Sequence, residues 1–93
     1  DNFMVKSEME FNKRYPDLLI LPIDFSKGYK SIMIELKYLK KDEENKLEEK
    51  QKEAKKQIQE YMQLDDTKKI PDLKCYTIVA VNDRLHVEEV EIR

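Results

Sequence analysis

Apolar and polar residues alternate along this chain with two different periods, and the change of period marks its elements. From Phe3 to Phe11 the period is two: Phe3, Val5, Met9 and Phe11 share one side, with Lys6, Glu8 and Glu10 on the other. That pattern predicts a half-buried strand, closed by a turn at Asn12-Lys13. Leu18-Leu19-Ile20-Leu21 is an unbroken apolar run ended by Pro22, which suits a strand covered on both faces. Ser26-Lys27-Gly28 predicts a turn, with Gly28 free to take positive φ. Tyr29 to Tyr38 is the next strand, so these two segments pair as a hairpin.

From Asp42 to about Leu64 the period becomes helical. Leu47, Ala54, Ile58 and Tyr61 recur among Glu, Lys and Gln. Asp42 is the expected N-cap, with Glu43 and Glu44 in the first turn. One narrow apolar stripe on a long charged helix packs against a sheet along one side. Asp65 to Pro71 reads as a loop. Cys75 to Val81 is rich in Val, Ile, Thr and Tyr and reads as a strand, followed by a turn at Asn82-Asp83. Leu85 to Ile92 is a final edge strand whose apolar members are Leu85, Val87 and Ile92. The order β-β-β-α-β-β predicts an α/β layer: a mixed sheet of about five strands with one long crossover helix. A helix that bridges two strands implies their parallel pairing through a right-handed crossover.

Length and composition narrow the reading. A chain of 93 residues predicts a single domain over residues 1–93, near the lower limit of comfortable stability. Charged residues make up 41% and the hydrophobic class 40%, and the apolar ones cluster in runs, which argues for a folded core. No apolar stretch reaches a membrane span and no signal peptide is visible. The only cysteine, Cys75, allows no intrachain disulfide and is expected as a small core residue. A reducing, cytoplasmic location fits. The net charge is −2, so nucleic acid is not held by a bulk basic excess, although Lys40-Lys41, Lys55-Lys56 and Lys68-Lys69 could touch phosphates. The chain opens on Asp1 rather than a methionine, which suggests a piece of a longer protein.

The candidate chemistry lies in the strands. Along the segment from Ser31 to Tyr38, Ile32, Ile34 and Leu36 face one way and Ser31, Met33, Glu35 and Lys37 the other. Glu35 and Lys37 therefore share a face, roughly 6–7 Å apart at the backbone. Asp17 opens the partner strand, about 4.8 Å away across a hairpin. Asp17 and Glu35 could hold one divalent ion, with the backbone carbonyl of Leu36 as a third oxygen. Mg2+ prefers such oxygen ligands and completes its shell with water and phosphate. Lys37 could position a water or stabilise charge on an attacked phosphate. Glu-x-Lys alone carries little, since it recurs at Glu44-Asn45-Lys46, Glu48-Glu49-Lys50 and Glu53-Ala54-Lys55. The setting of Glu35-Leu36-Lys37 in an apolar strand distinguishes it, because a charge at the end of a buried run is costly unless paired or bound. Without a Cys/His cluster, zinc is not expected. Tyr61 is read as core packing, and His86 as exposed on the edge strand.

Pro16-Asp17 followed by Glu35-Leu36-Lys37 resembles the PD-(D/E)XK nuclease superfamily. More narrowly, Arg14-Tyr15-Pro16-Asp17, Ile34-Glu35-Leu36-Lys37, and Ala54-Lys55-Lys56-Gln57-Ile58 with Tyr61 resemble the nuclease-like domain found C-terminal to AAA-type ATPase modules in bacteria. The resemblance implies a restriction-endonuclease-like core, here without the N-terminal helix that such domains carry before the first strand. It implies a Mg2+- or Mn2+-dependent phosphodiesterase acting on DNA, with Asp17, Glu35, Lys37 and Gln57 catalytic and Gln57 beside the metal site. It also implies an upstream ATPase domain in the full-length protein. The alternative is a catalytically inactive nuclease-fold module with an interaction or regulatory role. An incompletely covered apolar sheet face further suggests a homodimer.

Overall fold

A computed structural model describes residues 2–6 and 17–91. Five strands form one sheet in the order β1-β2-β3-β4-β5: Phe3–Lys6, Leu18–Pro22, Ser31–Leu39, Leu73–Val81 and Arg84–Val90. β3 and β4 run parallel, and every other neighbouring pair is antiparallel. The helix α1, Leu47–Met62, bridges the parallel pair and lies on it. The expected mixed sheet with one long helix is what forms.

α1 is built almost wholly of good helix formers and contains no Gly or Pro. Glu48 and Glu49 in its first turn complement the helix dipole. Ala54, Ile58 and Tyr61 are its buried stripe, and exposed pairs such as Lys52–Glu48 at 3.4 Å lace the solvent side. Beneath the stripe sit Leu19, Met33, Cys75 and Val90, while Leu39, Val79 and Val81 pack under Leu47 at the other end. Cys75 and Tyr61 are thus core residues, as expected.

Short signals set the connections. Asp24 caps a 3-10 turn at Phe25–Lys27, and Gly28 ends it at φ 76, a conformation that suits glycine. Asn82 takes φ 55 in the turn between β4 and β5, where Asn is tolerated. The helix start differs from expectation. A 3-10 segment, Lys41–Lys46, precedes α1, and Asp42 lies inside it. Glu43 does the capping, because its side chain accepts from the Lys40 N–H at 2.9 Å. The stretch expected as loop contains a second short helix, α2, Asp65–Lys68, whose Thr67 is buried. In the first segment only Phe3–Lys6 is seen as strand; the continuation to Phe11 and the turn at Asn12-Lys13 lie outside the described residues.

The two faces of the sheet differ. α1 covers the face carrying Met33, Glu35, Cys75, Thr77 and Val79. On the other face Leu18, Ile20, Ile32, Ile34, Tyr76 and Ile78 are only half-buried, and among the described residues no element lies over them. In β2 Leu19 is fully buried on the helix side, whereas on the opposite side Leu18 and Ile20 are half-buried and only Pro22, at the strand's end, is fully buried. β5 is the edge strand that the pattern predicts, with a solvated face: Leu85 and Val87 are 67% and 57% exposed, and Val90 is buried. The register pairs Val90 with Cys75 but Val87 with Ile78, which puts Leu85 and Val87 on the open side. His86 points the other way and is half-buried, not exposed. Ile92 lies outside the described residues. No described helix is long and apolar enough to cross a membrane.

Two substitutions check this division. Ile58→Ala, beneath the sheet, is expected to cost about 2–5 kcal/mol in urea unfolding, whereas Val87→Thr on the open face is expected to stay within about 0.5 kcal/mol. Equal losses at both positions would contradict it.

Candidate active site

Strand alternation aims Glu35 and Lys37 from β3 toward α1, on the same side as Ser31, Met33 and Leu39. Glu35 is 4% exposed, in register with the equally buried Thr77 of β4. Its neighbours on that face are the core residues Met33 and Cys75, so water cannot solvate it freely. Lys37 reaches back along the face, and its Nζ lies 3.8 Å from Glu35 Oε2.

Asp17 arrives from the segment before β2. Its Oδ2 accepts a hydrogen bond from the Leu36 backbone N–H at 2.7 Å. The β2–β3 ladder ends at Leu18 paired with Ile34, so Leu36 presents its backbone beyond the last rung, and the Asp17 side chain takes the place of a strand partner. A strand residue directs its N–H and C=O to the same side. The Leu36 carbonyl therefore faces the side on which Asp17 sits.

The electrostatics follow from this crowding. Burial pushes the Glu35 carboxyl up to about 7, and the negative charge of Asp17 adds to the rise; Lys37 and the Asp17 backbone amide pull the other way. Glu35 Oε1 is buried with no hydrogen-bond partner. A buried carboxylate oxygen without a donor, beside a second carboxylate and a backbone carbonyl, is a set of hard oxygen donors that fits a small divalent cation. Among the described residues no three of His, Cys, Asp and Glu cluster closely enough to form a larger metal site, so the donor set is two carboxylates and one carbonyl. Mg2+ is commonly held by no more than that.

Sequence reasoning placed Asp17, Glu35, Leu36 and Lys37 at one spot, and the structure brings all four together. Gln57 sits on α1 with its Oε1 buried and unpartnered, one helical turn from Glu53, whose Oε1 lies 3.7 Å from Lys37 Nζ. Gln57 therefore lies on the helix face that meets the site, though no hydrogen bond to the other four is seen. Arg14, Tyr15 and Pro16 lie outside the described residues.

A family model described as the PD-(D/E)XK nuclease superfamily matches residues 1–90. The chain belongs to the PD-(D/E)XK nuclease superfamily. Membership makes it a nuclease-like domain built for phosphodiester cleavage, in a superfamily whose members generally use divalent metals. No curated protein and no solved structure matches the chain. The mixed five-stranded sheet with its single long helix agrees with a nuclease fold of this superfamily.

Two residues at the site escaped the sequence reading. Thr77 is a polar residue in the middle of a β-rich run, and nothing in its strand announces that it lies opposite Glu35. Glu53 was hidden among the Glu-x-Lys repeats of the helix; its position just before the buried Ala54 is the signal that could have picked it out.

The raised Glu35 carboxyl predicts how the metal-free protein responds to pH. The ordinary value is 4.5 and the folded value about 7. The stabilisation is fully present below the ordinary value, where the group is neutral in both states, and is lost as pH rises through about 7. By linkage the loss amounts to about 3 kcal/mol. In EDTA, Glu35→Gln is expected to be the more stable protein above neutral pH, with the advantage vanishing in acid. Urea midpoints whose difference does not change with pH would refute this.

Proposed function

We propose that Asp17, Glu35 and the Leu36 carbonyl hold a Mg2+ or Mn2+ ion and that the domain uses it to hydrolyse phosphodiester bonds in DNA. The observation that carries this reading is the Asp17 carboxylate docked at 2.7 Å on the Leu36 amide, beside a buried Glu35 whose Oε1 has no protein partner. When bound, a divalent ion lowers the pKa of a water and neutralises charge developing on the phosphate. The rest falls to the chain's own side chains. Lys37 donates hydrogen bonds to the attacking water or to a phosphate oxygen, from a face it shares with Glu35. Gln57, with its free Oε1, accepts from the water on the helix side. The water oxygen bonds to phosphorus as one P–O ester bond breaks; the water gives up one proton to solvent and the departing oxygen takes one from solvent, so the step is proton-neutral overall.

DNA rather than RNA follows the resemblance of the motifs, as does an ATPase module elsewhere in the protein; a cytoplasmic setting rests on the single free cysteine. With a net charge of −2, affinity comes from local cations. Lys40, Lys41, Lys55 and Lys56 are exposed and available to the phosphodiester backbone.

Mn2+ titration of wild type and Glu35→Ala tests the site. Wild type is expected to bind, and Glu35→Ala to lose roughly tenfold or more in affinity. Cleavage of plasmid DNA is expected to need the ion, to stop in EDTA, and to fall by roughly 100-fold or more in Lys37→Ala. Equal, negligible Mn2+ binding by both proteins would remove the metal reading. Firm binding without cleavage of DNA or RNA would leave a nuclease scaffold with an interaction role.

A further inference from the structure

Glu53 completes a pattern of charge around Lys37. The two oxygens of its carboxylate each take one ammonium: Oε1 lies 3.7 Å from Lys37 Nζ, and Oε2 lies 3.2 Å from Lys50 Nζ. Lys37 in turn stands between two carboxylates, Glu35 on its own strand at 3.8 Å and Glu53 on the helix at 3.7 Å. Glu35, Lys37, Glu53 and Lys50 thus form a row of alternating sign that leads from the sheet–helix seam outward. Side-chain exposure rises from 5% at Glu35 through 19% at Lys37 to 46% at Glu53.

This row bears directly on Glu35. An ammonium beside a carboxylate competes with any other cation for it. Lys37 stands 3.8 Å from Glu35 and 3.7 Å from Glu53, in both cases longer than a charge-assisted hydrogen bond of about 2.7–2.9 Å, so the two carboxylates share the ammonium and neither holds it alone. The neighbouring Ala54 is fully buried against the sheet, so the backbone at Glu53 is fixed, and Lys50 engages the second oxygen.

We propose that Glu53 is a positioning residue: it holds the Lys37 ammonium off Glu35, so that Glu35 can take a divalent cation while Lys37 stays beside it. The proposal rests on the reading of Asp17 and Glu35 as a metal-binding pair. It adds to that reading a helix carboxylate that acts through Lys37 and touches neither ion nor substrate.

Two measurements test it together. The first is Mn2+ affinity, read from the electron paramagnetic resonance of the free ion. Glu53→Gln is expected to weaken binding roughly two- to five-fold, the range of a largely exposed ion pair, with an unchanged urea midpoint. In a Lys37→Gln background the same substitution is expected to change nothing, since no ammonium remains to close on Glu35. The second is the 13C relaxation of the Lys37 ε-carbon in metal-free protein, expected to show an ordered side chain in wild type, a loosened or displaced one in Glu53→Gln, and partial recovery in Glu53→Asp. Equal weakening of Mn2+ binding in both backgrounds would mean that Glu53 acts on the ion directly, and would overturn the proposal. So would a Lys37 side chain indifferent to Glu53. A wild type that takes up no Mn2+, but whose Lys37 loosens in Glu53→Gln, would refute the metal reading and uphold Glu53 as the holder of Lys37.

Discussion

Glu35 brings a carboxylate into the seam between sheet and helix, and much of the site's arrangement answers to that placement. Removing a carboxylate from water costs several kcal/mol unless partners replace the solvent. Here the replacement is incomplete. Lys37 stands at 3.8 Å, one carboxylate oxygen has no donor, and the negative Asp17 lies nearby. A small domain has only about 5–15 kcal/mol of stability in total, so a defect of this kind is a large fraction of it. Buried, under-satisfied ionisable groups concentrate where a protein binds or reacts.

The other parts of the site serve to keep that group in place. Asp17 docks on the Leu36 amide and so pins the start of β2 against β3 just where their ladder ends. The parallel pairing of β3 with β4 sets Thr77 opposite Glu35, and α1 closes over both strands. α1 contributes Ile58 and Tyr61 to the core and Glu53 to the charge row. Packing and chemistry thus use adjacent positions of one helix, with Ala54 inward and Glu53 at its edge. The fold divides its sheet in the same way. The helix side carries the site, while the other side keeps a broad, half-buried apolar surface.

Much of this was legible in the residues. The strand–helix order, the parallel pair, the turn at Gly28 and the buried stripe of α1 all follow from local patterning. The meeting of Asp17, Glu35, Leu36 and Lys37 followed from a hairpin and a period of two. Two readings failed for a common reason. In the Leu18–Leu21 run only Leu19 is fully buried. Asp42 has the chemistry of a cap, but Glu43 makes the capping bond. In each case the pattern identified residues that share a side or a role, and not which side the rest of the chain covers.

The amino-acid sequence by itself determined the elements, their periods and the presence of an Asp, a Glu and a Lys in strands that can pair. These are local properties, set by backbone dihedrals and by the alternation of side chains along a strand or around a helix. The tertiary structure alone decided that the helix lands on the Glu35 face and not on the Ile34 face. It also decided that Glu53, one of several similar glutamates on α1, is the one that reaches Lys37. Both outcomes depend on where a crossover helix settles across two strands, a long-range packing choice that no short window of sequence encodes.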